Sequence, residues 1–159
     1  MITGVRTIEL RAALWSEFDL GNAIWEIPAE RMKICRSHLV PLSIQALDLL
    51  EQLKIMTGNY RYVFPGRNDP NKFMSEASIN QVIKRIGYGG KVTGHGFRHS
   101  LSTILHEKGY DSAWIEIQLA HIDKNNIRGA YNHAQYIDKR RDMMQWYSSY
   151  ILIKEIMNE

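Results

Sequence analysis

The densest group of chemistry-bearing side chains is His95-Gly96-Phe97-Arg98-His99. A three-residue spacing puts His95 and Arg98 on one face of a helix start, where free backbone N–H groups and the helix dipole favour an anion. A guanidinium fork beside an imidazole at such a place suits a phosphate. The structural alternative makes Arg98 an ion-pair residue and His99 a satisfied core histidine. A metal site competes as well, because His95, His99 and His106 lie at i, i+4 and i+11. Against it, no Glu fills the general-base position of an HExxH pattern, and Gly94 and Gly96 work against a helix that contains His95 in full. The single cysteine, Cys35, excludes a Cys-based zinc site and an internal disulfide.

Four more positions stand out singly. Arg6 follows the glycine turn Thr3-Gly4-Val5 and precedes Glu9; Lys33 lies in a β-prone run; His121 closes Leu119-Ala120-His121; and Tyr131 sits in Arg128-Gly129-Ala130-Tyr131-Asn132. Each has an ordinary reading by itself. A lysine on a strand usually faces solvent, and a tyrosine in such a segment usually packs.

The elements that must position these residues can be read from periodicity and punctuation. Ile8, Leu10, Ala13 and Leu14 predict a short helix ending near Trp15. Asn22 to Ile27, Arg31 to Cys35 and His38 to Leu42 predict three strands of a small antiparallel sheet. Ser43 is placed to cap a helix whose face is Ile44, Leu47, Leu50 and Leu53, running to Gly58. Ile79, Val82, Ile83 and Ile86 predict a helix with one buried stripe, leaving Asn80, Gln81, Lys84 and Arg85 on its polar side. Phe97, Leu101, Ile104 and Leu105 continue the pattern, with Gly109 as a left-handed terminator. Ser112 is read as the cap of a helix to Ala120, Asp123 as the cap of a short one through Tyr131. A last long helix runs from Ala134 toward Met157, with Ile137, Met144, Tyr147 and Ile151 on one side. The expected fold class is α+β and mainly α, with a three-stranded antiparallel sheet.

The 159 residues, 45% of them apolar, can fill one hydrophobic core, so one domain spanning 1–159 is expected. No stretch approaches the roughly 20 apolar residues of a bilayer span, and there is no charged-then-apolar signal region, which makes a cytoplasmic protein without membrane contact the expectation. The net charge of +3 is modest, but its distribution is uneven. Between Glu76 and Glu107 stand Lys84, Arg85, Lys91 and Arg98 with no acid among them, which predicts either a local positive field or a solvated basic face.

The order Arg6, Lys33, His95-x-x-Arg98, His121, Tyr131 resembles the active-site series of the tyrosine recombinases, the phage integrase family. The wording around these residues is similar to that of prophage and genomic-island integrases: Thr-Gly-Val-Arg-Thr-Ile-Glu-Leu, Ile27-Pro28-Ala29-Glu30-Arg31-Met32-Lys33, His38-Leu39-Val40-Pro41-Leu42-Ser43 and Ala130-Tyr131-Asn132-His133-Ala134. The resemblance implies a site-specific DNA recombinase for integration or excision of a mobile element. It makes Tyr131 the nucleophile on the scissile phosphate, giving a 3′-phosphotyrosine and a free 5′-hydroxyl. A phenol with a pKa near 10 needs its proton removed, and His95 becomes the candidate base. Arg6, Arg98 and His121 would stabilise the phosphoryl oxygens, Lys33 on a hairpin would protonate the leaving 5′-oxygen, and Glu9 would orient the site. The resemblance implies neither metal nor cofactor.

Double-stranded attachment-site DNA is the implied partner, with phosphate contacts expected from Lys84, Arg85 and Lys91 and from Lys139 to Arg141, alongside other integrase protomers in a tetramer on DNA. Relatives in the family carry further domains ahead of the Thr-Gly-Val-Arg turn, so the chain is expected to be an N-terminally truncated catalytic domain, with apolar residues such as Leu10, Leu14 and part of the Phe97 stripe short of partners. Two rivals remain: a catalytically incompetent DNA-binding remnant, and a zinc hydrolase built on His95, His99 and His106.

Overall fold

The computed structural model describes residues 2–33, 35–121 and 136–156, with side chains through Ile153. In chain order the elements are α1 (Thr7–Arg11), β1 (Phe18–Asp19), β2 (Ile24–Ile27), β3 (His38–Pro41), α2 (Ile44–Thr57), α3 (Glu76–Arg85), α4 (Gly94–Lys108), α5 (Ser112–Gln118) and α6 (Ile137–Ile156), with 3-10 turns at Trp15–Glu17 and Ala29–Arg31. A mainly helical chain with a three-stranded antiparallel sheet is what the sequence predicts.

The sheet has the order β1-β2-β3, with Phe18 opposite Trp25 and Trp25 opposite Val40. Its first strand corrects the expectation. The described residues of the expected run, Arg31 to Lys33 and Cys35, are not in a strand; Phe18–Asp19 takes the third place. Phe18 stacks on Trp25 with ring centroids 5.0 Å apart, and the Asp19 carboxylate accepts from Asn22 N–H at 3.0 Å and Asn22 Nδ2 at 2.6 Å, closing the hairpin. After Pro28 the chain is pulled inward instead of extended: the Arg31 guanidinium pairs with Glu17 and donates to the Glu9 carbonyl at 2.6 Å, and Met32 is buried. Those inward ties hold residues 29–32 as a compact turn.

Ser43 caps α2 as expected, its Oγ accepting from Ala46 N–H at 3.2 Å. Leu50 is buried and Leu47 and Leu53 pack partly, but Ile44 is 63% exposed. Stepping by three residues drifts about 60° per step around a helix, so Ile44 and Leu53 end on opposite sides. The stripe on α3 also fails in part. Only Ile83 of the four is buried, while Val82 and Ile86 are exposed, because α3 is a peripheral helix seated against α1. The first helix is shorter than its apolar spacing predicts, ending at Arg11. Gly109 terminates α4 in the left-handed conformation as expected, whereas the α5 cap is Asp111, accepting from Ala113 N–H at 2.8 Å, and not Ser112. The helix expected from Asp123 through Tyr131 lies outside the described residues, as does the expected start of α6 at Ala134.

Two cores result. Val5, Trp25, Ile27, Val40, Leu42, Ala46, Leu50, Val63 and Ala120 fill one beneath the sheet and α2. Leu101, Leu105, Ile115, Leu119, Met143, Met144 and Tyr147 fill the other among α4, α5 and α6. Val5 and Ala120 belong to the first, Leu101 and Leu119 to the second, so the segments 4–6 and 119–121 run along the seam. No helix among the described residues is long and apolar enough to cross a membrane.

Candidate active site

Gly4 opens the seam. It holds φ of +70°, and a Cβ there would lie 3.1 Å from Leu101 Cδ1, so glycine lets the chain turn against α4. Arg6 then stands extended just ahead of α1 and is fixed by Glu9: the Arg6 backbone N–H donates to Glu9 Oε2 at 2.7 Å and its NH1 to Oε1 at 2.8 Å. The Glu9 carboxylate is buried, while the Arg6 side chain stays 28% exposed. Arg6 NH2 reaches across to the Ala120 carbonyl at 3.1 Å.

Arg98 arrives from the other direction. Thr93 caps α4 by accepting from Gly96 N–H at 3.1 Å. Gly94 lets the first turn of that helix close on α1, since a Cβ there would stand 2.4 Å from Thr7 Cγ2. The helix therefore does begin before His95. One turn on, the buried Arg98 donates through NH1 to the Gly4 carbonyl at 2.6 Å and through NH2 to the Leu119 carbonyl. Burial lowers its pKa to about 10, helped by the charge of Arg6 and opposed by Glu9 and Glu116. It is still protonated at neutral pH. Among the described residues no carboxylate pairs with Arg98 directly, so its charge is held by neutral carbonyls.

His121 follows the two carbonyls that the arginines hold. Ala120 takes a left-handed conformation with φ of +46°, and the His121 backbone N–H returns to the Glu116 carbonyl at 3.0 Å. The ring Nδ1 lies 2.6 Å from Glu116 Oε2, with both side chains nearly half exposed.

The structure thus brings Arg6, Glu9, Arg98 and His121 together around one turn. His95 is exposed in the first turn of α4, one helical turn before Arg98. Lys33 is exposed in the connection between β2 and β3, in a turn and not in the strand expected for it. Tyr131 lies outside the described residues. Among the described residues no three His, Cys, Asp or Glu side chains group as a metal site would need, so His95, His99 and His106 do not converge.

Lys84 and Arg85 are exposed at the end of α3 and Lys91 just beyond it. The basic run on α6 behaves differently and corrects the expectation that Lys139 to Arg141 faces phosphate. Only Lys139 is exposed. Arg140 is fully buried, donating through Nε and NH2 to Gln118 Oε1 at 3.1 and 2.8 Å and through NH2 to the Leu39 carbonyl at 2.6 Å, and burial lowers its pKa to about 10. Arg141 donates to the carbonyls of Ala23 and Asn22 at 3.4 and 3.2 Å. Gln118, itself buried, donates onward to the Thr3 carbonyl at 2.8 Å. Sequence reasoning misses Gln118, Arg140, Arg31 and Glu116. For Glu116 a signal existed, an acid in the last turn of a helix just ahead of a histidine.

A model of the phage integrase family matches residues 1–137. Prophage integrase IntA of Escherichia coli (strain K12) is 43% identical over 151 residues, which cover 95% of this chain and 37% of that protein. The integrase of Shigella phage Sf6 is 47% identical over 150 residues, covering 94% and 39%. Among solved structures, XerA recombinase is similar with a TM-score of 0.64 at 23% identity, over 76% of this chain and 46% of its own. The integrase from mycobacterium phage Brujita gives a TM-score of 0.67 at 19% identity, over 91% and 47%. These two likenesses concern the fold. The chain spans about two-fifths of the length of the curated relatives it matches.

Proposed function

The chain belongs to the phage integrase family, and on that premise we propose that residues 1–159 are the catalytic domain of a site-specific recombinase that cuts and rejoins duplex DNA through a phosphotyrosine. The observation that carries the reading is the meeting of Arg6 and Arg98, from distant parts of the chain, on consecutive carbonyls of the turn that presents His121. Such a cluster answers to a phosphodiester whose non-bridging oxygens gain charge as it is attacked.

In the proposed reaction the Tyr131 oxygen attacks phosphorus, its proton passing to His95. The bond from phosphorus to the 5′-oxygen breaks, and Lys33 protonates the departing oxygen. The ester conserves the energy of the broken bond, so the reverse step, with a different 5′-hydroxyl, joins the exchanged strand. Arg6, Arg98 and His121 hold the phosphoryl oxygens throughout, and Glu9 keeps Arg6 in place. Lys84, Arg85 and Lys91 supply phosphate contacts that set the register on DNA without reading bases. Pairing of cleavage events on two duplexes calls for further protomers of the same protein.

A nicked suicide duplex carrying the ends of the mobile element tests this. The chain is expected to leave an SDS-resistant protein–DNA adduct, and Tyr131→Phe to bind the same duplex and leave none. Binding without an adduct from the parent chain would favour a DNA-binding remnant.

A further inference from the structure

We propose that Glu116 is a positioning residue that fixes the ring of His121, so that Nδ1 is spent on the protein and Nε2 alone faces the phosphate. The inference rests on the reading of the site given above and assigns a part to a side chain outside the series Arg6, Lys33, His95, Arg98, His121, Tyr131.

His121 is held from both sides. Its backbone follows two carbonyls, of Leu119 and Ala120, that Arg98 and Arg6 occupy, and its own N–H closes on the Glu116 carbonyl at 3.0 Å. The left-handed Ala120 is what folds the histidine back over the end of α5, an unusual conformation for a residue with a Cβ. That fold brings Nδ1 to 2.6 Å from Glu116 Oε2. A carboxylate in the last turn of a helix opposes the helix dipole, so Glu116 serves α5 poorly where it stands. Its partner among the described residues is His121.

An ionised carboxylate only accepts hydrogen bonds, so the atom facing it must carry hydrogen. The ring is therefore an Nδ1–H ring with Nδ1 turned to the protein and Nε2 turned to the phosphate. Glu116 thus sets the orientation of the His121 ring and which of its nitrogens is left for the phosphate.

Ring nitrogen–hydrogen correlation spectra of the 15N-labelled chain, recorded near neutral pH, test the pair without any DNA. The parent is expected to show hydrogen on His121 Nδ1. Glu116→Ala is expected to move it to Nε2 in the neutral ring, and Glu116→Gln, whose amide oxygen still accepts, to keep it on Nδ1. Both variants should fold, because the Glu116 side chain is 47% exposed. On the suicide duplex Glu116→Ala should form adduct about tenfold more slowly with unchanged DNA binding, the lower end of what the hydrogen-bond partners of metal-bound histidines are worth, and Glu116→Gln should recover most of the rate. A bare Nδ1 in the parent, or an Ala variant with parental spectra, overturns the proposal. Spectra that respond as expected in a chain that never traps DNA would instead overturn the cleavage reading on which it rests.

Discussion

Gly94→Ala probes the contact that brings the two arginines together. The added Cβ would stand 2.4 Å from Thr7 Cγ2, whereas ordinary contact begins at 3.4 Å, an overlap of 1.0 Å. Thr7 is β-branched and restricted at χ1, so the relief comes chiefly from the helices moving apart. Overpacking of this kind costs about 1–3 kcal/mol. Helix propensity acts with the opposite sign, but Gly94 is the first residue of α4, so only a fraction of the roughly 0.5–1 kcal/mol that alanine gains over glycine in a helix interior applies. The net expectation is a loss of about 1–2 kcal/mol, or about 2–8 °C in Tm for a chain of this size. Because α4 carries Arg98, a displacement near 1 Å should slow adduct formation on the order of 100-fold. Thermal unfolding and suicide-substrate trapping would be measured on Gly94→Ala, Thr7→Ser and the pair. Thr7→Ser removes the obstructing methyl, so the double variant should regain most of both losses. A Gly94→Ala protein as stable as the parent, or a double variant no better than Gly94→Ala, would refute the packing argument.

Other expectations follow from single side chains. Arg140→Ala strands the Gln118 amide oxygen and the Leu39 carbonyl in the interior, and urea unfolding should show a loss of about 2–4 kcal/mol; a loss under 1 kcal/mol would contradict the buried network. Replacing both Lys84 and Arg85 by Ala should lower the slope of log K against log salt by about 0.9 for each phosphate no longer neutralised, with cleavage of bound DNA unchanged; an unaltered slope removes them from the interface. Tyr147 has its pKa raised above 10 by burial, so its contribution to stability is intact below pH 10 and is lost as the pH rises past it, because the unfolded chain ionises first. Arg98 and Arg140, lowered to about 10, act in the opposite direction over that range, so the Tyr147 share is read as the difference between parent and Tyr147→Phe in alkaline urea titrations. Parallel curves for the two proteins would remove it.

Local signals in the sequence are the reliable ones. Ser43 and Gly109 mark helix ends through chemistry that acts within three or four residues, and both stand where that chemistry predicts. The grouping of Arg6, Arg98 and His121 is legible because their order and flanking residues carry it, although nothing local joins residue 4 to residue 98. What cannot be read depends on long-range partners. Arg31 looks like part of a strand until Glu17 and the Glu9 carbonyl are seen to draw it in. Arg140 and Arg141 look like a solvated basic run because sequence does not show Gln118 or the carbonyls of Leu39, Asn22 and Ala23 waiting for them. Spacing by three on α2 suggests a straight stripe and overlooks its rotation around the helix, which exposes Ile44.

The central claim is that a phosphodiester held at Arg6, Arg98 and His121 is passed to Tyr131. Its most direct test is peptide mapping of the trapped adduct. After nuclease trimming and trypsin digestion, fragmentation of the peptide from Gly129 to Lys139 should place the nucleotide mass on Tyr131. The same mass on Tyr136, in the same peptide, or an adduct carried by any other residue would contradict it.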